Sequence, residues 1–158
     1  MRHIYPLKYT EYVEEASKNC GVEKELIYGI IKCESGFDEN AKSHAGACGL
    51  MQITPETFEW LKTHAKKKSV LINGDIHNPK TNVTAGTLFV SMLLKKYGNE
   101  SLALCAYNAG MNAVDKWLKE NVEFRNTGDV EHIPYPETKK YVQKVERAKN
   151  IYKKLYFE

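Results

Sequence analysis

Through most of the chain, apolar residues recur at intervals of three and four rather than two, the spacing of amphipathic helices, with no internal repeat or low-complexity linker. A polar helix is predicted over residues 8–19, with Gly21 placed to close it in the left-handed conformation. Over residues 23–35, Leu26, Ile27, Ile30 and Ile31 mark an apolar face, and steps of three and four from Ile31 and Ile30 reach Glu34. A carboxylate therefore falls on the buried side of a helix. Ser35-Gly36 stops that helix, and residues 40–49, with two glycines and three alanines, read as a close-packed loop. Thr54 and Pro55 supply a cap and a first helical residue for a helix through Leu61, and residues 66–79 read as irregular. Asn82 is expected to cap a helix over residues 83–97 that ends at Gly98. Another helix begins at Ser101 and stops at Asn108-Ala109-Gly110, and a short one runs from an Asn112 cap to Leu118. Pro134 and Pro136 precede a last long helix whose Val142, Val145, Ala148, Ile151 and Leu155 are expected to wrap the core.

A chain of 158 residues suffices for one domain with its own core, so a single globular unit over residues 1–158 is expected. With 42% apolar and 27% charged residues, neither a disordered chain nor a disulfide-knotted miniature fits. No run approaches the roughly 18 consecutive apolar residues of a membrane span, and the first residues lack a signal peptide's apolar stretch. The formal net charge of +3 comes without dense basic clustering, so no nucleic-acid partner is expected, and Lys66-Lys67-Lys68 reads as a solvated run. Cys20, Cys33, Cys48 and Cys105 show neither Cys-x-x-Cys nor zinc-finger spacing, so no metal site is expected. All four are read as thiols, with one disulfide of unassigned pairing as the alternative.

Three segments carry candidate chemistry. An ionised Glu34 on an apolar face bears a desolvation penalty unless it is paired or protonated. Held partly protonated, it can give a proton to a leaving oxygen and later take one back; the plainer reading is a salt-bridged glutamate at a helix end. In Gly46-Ala47-Cys48-Gly49-Leu50-Met51-Gln52, small residues allow close backbone approach and Gln52 offers both donor and acceptor, which suits a cleft wall or simply a tight loop. Ala106-Tyr107-Asn108-Ala109-Gly110 presents a phenol and an amide beside a turn, or is a helix stop. Asp38, Glu39 and Asp75 sit among polar residues and read as solvated. His44 lies near Ser43 without the spacing of a His/Cys nucleophilic pair and reads as a surface histidine.

In their order and spacing these segments resemble the soluble lytic transglycosylase catalytic domain, of the goose-type lysozyme-like superfamily. Glu34-Ser35-Gly36-Phe37 is similar to that family's catalytic glutamate motif, followed by Ala41-x-Ser43 and by Gly49-Leu50-Met51-Gln52-Ile53. Asn78-Pro79-x-x-Asn82 with Ala85-Gly86-Thr87 resembles its middle motif, and Ala106-Tyr107-Asn108-Ala109-Gly110 its third. Ile133-Pro134-Tyr135-x-Glu137-Thr138-Lys139-x-Tyr141-Val142 resembles the closing motif, with Lys139 where many relatives have arginine. Cys33, Cys48 and Cys105 stand beside motif residues where small or hydroxyl side chains are expected.

The resemblance implies a mainly α, lysozyme-like (α+β) fold with a cleft for the glycan strand of peptidoglycan, and no cofactor or metal. It implies cleavage of the β-1,4 bond between N-acetylmuramic acid and N-acetylglucosamine without water, giving a 1,6-anhydromuramyl product. By position Glu34 is the acid and base, Ser43 and Gln52 contact substrate, Tyr107 and Asn108 line the site, and Glu137 is a further sugar contact. Ordinary glycosidases use two carboxylates; here an internal hydroxyl and the substrate's acetamido group leave one sufficient. A hydrolytic muramidase and a non-cutting peptidoglycan-binding module are the alternatives. A monomer is expected, working outside the cell or facing the wall, with any export signal or anchor lying outside this sequence.

Overall fold

The computed structural model describes residues 1–67, 70, 72–121 and 129–158, and these carry seven α-helices. They are α1 Thr10–Cys20, α2 Lys24–Glu34, α3 Pro55–Lys67, α4 Pro79–Tyr97, α5 Glu100–Ala109, α6 Met111–Glu120 and α7 Pro136–Tyr152. A 3-10 turn, Val130–His132, precedes α7, and a wider helical turn, Lys153–Phe157, extends it. The β contribution among the described residues is two isolated antiparallel bridges, Lys42 with Cys48 and Cys48 with Ile53. Among these residues no helix is long and apolar enough to cross a membrane.

The α2 helix is central. Six consecutive residues, Leu26, Ile27, Tyr28, Gly29, Ile30 and Ile31, are buried, so the helix is enclosed on every side rather than along one stripe. Against it α7 lays Val142, Val145, Ala148 and Tyr152, while its remaining faces stay polar. Gly29 permits the close approach: a Cβ there would lie 3.1 Å from both the Lys149 amide nitrogen and the Val145 carbonyl oxygen. Lys149 secures the crossing with carboxylates of Glu23 at 3.0 Å and Glu100 at 2.8 Å. Gly29→Ala gains helix propensity of about 1 kcal/mol but forces two backbones apart. We expect a net loss of about 1–2 kcal/mol, read as a lower midpoint in chemical denaturation; a variant as stable as wild type would contradict the tight crossing.

Several predicted boundaries shift. The α4 helix starts a turn earlier than expected: Asn78 is its cap, accepting the Thr81 amide at 3.1 Å, with Pro79 in the first turn. Asn82, expected as the cap, lies inside the helix, is buried, and faces the loop before α3. Asn112 likewise sits within α6, which opens at Gly110 with φ 93°. For α5 the cap is Asn99, which accepts the Leu102 amide at 2.9 Å. The α3 helix runs past Leu61 to Lys67, because Phe58, Leu61 and Ala65 all find core contacts. Lys68, in the basic run, lies outside the described residues.

All four cysteines are thiols and no disulfide joins them. Burial pushes the Cys33 thiol up to about 11 and the Cys105 thiol up to about 12, which leaves both poor nucleophiles at neutral pH. The Cys48 thiol donates to the Gly46 carbonyl at 3.2 Å, so no His44 pair forms with it.

Candidate active site

Glu34 is the last residue of α2, the point at which the central helix emerges from the core. The chain then passes through two left-handed residues, Gly36 at φ 59° and Phe37 at φ 70°. Phe37 is buried against Tyr28 and Tyr152, which holds this unfavourable backbone in place. Ser35 fixes the helix end to the neighbouring loop: its hydroxyl donates to the Leu50 carbonyl at 2.8 Å and accepts the Phe37 amide at 3.2 Å.

That loop, residues 40–53, is folded by its own polar groups. The Cys48 and Ile53 backbones exchange two hydrogen bonds of 2.9 and 3.0 Å, and the Gly49 amide donates to the Ala41 carbonyl at 2.9 Å. Gln52 adopts φ 53°, and its side-chain nitrogen donates to the carbonyls of Ala41 and Gly49, both at 3.0 Å. Both amide protons are thereby used internally, and the Gln52 Oε1 is the atom left for a ligand. The sequence suggested donor and acceptor alike; the structure leaves the acceptor. The exposed Ser43 hydroxyl accepts the Ala47 amide at 3.0 Å and shapes the loop's outer turn.

Asn82 anchors this loop from below. Its Oδ1 accepts the Met51 amide, and its Nδ2 donates to the carbonyls of Cys48 and Ile76, all at 2.9 Å. Two glycines make the room. A Cβ at Gly49, φ 78°, would stand 2.4 Å from Asn82 Nδ2, and one at Gly86 would stand 2.5 Å from the Met51 sulfur. The Met51 carbonyl in turn accepts the Tyr107 hydroxyl at 2.6 Å, joining the end of α5 to the loop.

Burial pushes the Glu34 carboxyl up to about 7. The Tyr141 hydroxyl opposes that rise: it is buried beside the carboxyl without closing a hydrogen bond of ordinary geometry. Burial, and then the Glu34 charge, raise the phenols of Tyr107 and Tyr141 well above their usual range, so both stay protonated. Among the described residues no second carboxylate acts on Glu34. Asp38 is occupied by the Asn40 amide, Glu39 by the Tyr9 hydroxyl and Asp75 by the His77 amide. Asn108, exposed at the end of α5, accepts the Thr138 hydroxyl at 2.9 Å, which ties it to the first turn of α7. Glu137, in that same turn, is exposed.

Of the residues singled out from sequence, Glu34, Gln52 and Tyr107 are joined through the Ser35, Leu50 and Met51 contacts, while Ser43, Asn108 and Glu137 stand at exposed positions around them. Ser35, Asn82 and Tyr141 were not picked out as site residues. Ser35 and Tyr141 stand inside the quoted motifs with no role of their own, and Asn82 carries only a cap's role beside its motif position. Among the described residues no group of three or more His, Cys, Asp or Glu is placed to hold a metal ion.

The profile described as "Transglycosylase SLT domain" matches residues 11–128. The soluble lytic murein transglycosylase of Salmonella typhimurium is 31% identical over 147 residues, covering 89% of this chain and 22% of its own. Membrane-bound lytic murein transglycosylase C of Haemophilus ducreyi is 34% identical over 120 residues, covering 69% of this chain and 32% of its own. The structure of the 70 kDa soluble lytic transglycosylase of Escherichia coli superimposes with a TM-score of 0.86 at 28% identity, over 99% of this chain and 26% of that one. An inactive mutant of lytic transglycosylase Slt from Pseudomonas aeruginosa gives 0.81 at 30% identity, over 95% of this chain and 24% of that one. The chain thus spans about a quarter of the length of its soluble relatives. Its helical, lysozyme-like fold is theirs, and with the profile running across most of its length the chain belongs to the transglycosylase SLT domain family.

Proposed function

We propose that this chain is a peptidoglycan lytic transglycosylase with Glu34 as its acid and base. The observation that carries the reading is a single carboxyl, raised to about 7 by burial, with no second carboxylate among the described residues acting on it. Protonated Glu34 gives its proton to the glycosidic oxygen as the C1–O bond of the muramyl sugar breaks, and the substrate's acetamido group stabilises the charge left on C1. The Glu34 carboxylate then takes the proton of the same sugar's 6-hydroxyl as O6 bonds to C1. The product is a 1,6-anhydro ring, and Glu34 returns to its protonated state without consuming water.

The surrounding residues fit that sequence of events. Gln52 Oε1 is free to accept from a sugar hydroxyl or amide, and the Tyr107 and Tyr141 phenols shield Glu34 from solvent without competing for its proton. Asn108, Ser43 and Glu137 are the outer contacts of the strand. The family supports a workplace facing the cell wall, and we read residues 1–158 as one domain acting as a monomer.

Digestion of purified peptidoglycan across pH tests the reading. The first proton transfer needs protonated Glu34, so release of soluble fragments should decline as pH rises past about 7. Absence of soluble fragments at any pH would contradict the proposal and favour a binding module.

A further inference from the structure

Trp60 is exposed at 36%, yet it is held firmly. The His64 ring covers one side of the indole at a centroid distance of 4.1 Å, and the Phe89 ring from α4 meets it edge-on at 6.2 Å. An exposed tryptophan braced in this way has little rotamer freedom left to lose when a ligand covers it. Trp60, Phe89 and Met111 surround a shallow pocket of about 220 Å³, rimmed by Glu56 and Thr57. Among the described residues no cation lines it, so none of them offers an anionic group a partner there.

The pocket matches the chemistry of a sugar ring, which has one apolar face of C–H groups and an edge of hydroxyls. The indole and Met111 suit the face, while Glu56 and Thr57 suit the edge. It is also continuous with the site already described. Phe89 packs on Tyr107 at 5.4 Å, and Tyr107 lies within reach of the Glu34 charge. A row of rings, Trp60, Phe89 and Tyr107, thus leads from the pocket to the acid.

We infer that Trp60, Phe89 and Met111 form a sugar-stacking subsite that holds a more distant pyranose ring of the strand cut at Glu34. The inference rests on the proposed glycan substrate. A strand long enough to reach the subsite gains contact area there, whereas a disaccharide occupying only the cleavage point does not.

Binding to the Glu34→Gln protein, which leaves strands uncut, tests the subsite. The chain has two tryptophans, and Trp117 is 5% exposed, so a water-soluble quencher reaches Trp60. Peptide-free glycan strands should shield Trp60 from acrylamide, and a disaccharide should shield it far less. Trp60→Ala should raise the Kd for strands roughly tenfold, and Trp60→Phe should recover most of that. With Glu34 intact, Trp60→Ala should raise KM in step while kcat falls no more than about twofold. Strands that bind with Kd unchanged by Trp60→Ala, and with Trp60 still quenched, would overturn the subsite and leave the glycan reading standing. Strands that do not bind at all would overturn both.

Discussion

Glu34→Gln is expected to yield a folded protein whose cleavage of peptidoglycan falls by about 10²–10⁴-fold, the usual contribution of general acid–base help. Glutamine keeps the shape of the side chain and its contacts with the end of α2, but it has no proton to give to the glycosidic oxygen and cannot accept one from the 6-hydroxyl. Stability should move the other way. In the folded protein Glu34 titrates at about 7, above the ordinary value of 4.5. Its protonated form therefore favours the fold, fully below about pH 4.5, and that contribution is lost as pH rises through about 7. Above pH 7 the wild type carries a buried charge worth on the order of 3 kcal/mol, which the amide lacks. Glu34→Gln should be the more stable protein at pH 8, and the difference should close towards pH 5. Urea denaturation at the two pH values measures this. A variant equally stable at both would show that Glu34 is solvated in the fold.

The second large effect belongs to Asn82, which contacts none of the reacting atoms. It is 1% exposed, and its amide satisfies the Met51 amide and the carbonyls of Cys48 and Ile76. In Asn82→Ala the Met51 amide and the Ile76 carbonyl lose their partner at once, while the Cys48 carbonyl keeps the Ile53 amide, and each unsatisfied group costs about 1–3 kcal/mol. We expect a loss on the order of 3–5 kcal/mol, at the severe end for a single substitution. Activity should fall too in whatever folded fraction remains, because Met51 would no longer hold the Tyr107 hydroxyl in register with Glu34. Asn82→Asp should fare no better, since a carboxylate would confront two carbonyl oxygens where the amide donates. A denaturation midpoint for Asn82→Ala within about 1 kcal/mol of wild type would contradict the anchoring role.

Asn82 also shows where sequence reading stops. An asparagine before an apolar run signals a cap, and Asn78 and Asn82 lie in the same short stretch; the tie is broken by Pro79, which belongs in a first turn. Periodicity placed Glu34 on the buried face of α2 because the helix repeat fixes direction along a helix. It could not place Tyr141 beside it, since the two are 107 positions apart and meet only through the α2–α7 crossing at Gly29. The Gly46 to Gln52 segment reads as a cleft wall or a tight loop, but the inward use of both Gln52 amide protons depends on a left-handed backbone that composition does not reveal. The Trp60 platform was equally hidden, because Phe89 reaches it from another helix.

The central claim is that an internal hydroxyl, not water, attacks the muramyl carbon. Digestion of peptidoglycan in water labelled with heavy oxygen, followed by mass spectrometry of the released ends, tests it most directly. The account predicts 1,6-anhydromuramyl ends, one water lighter than hydrolytic ends and free of label. Reducing muramyl ends carrying the heavy oxygen would contradict it and make the chain a hydrolytic muramidase.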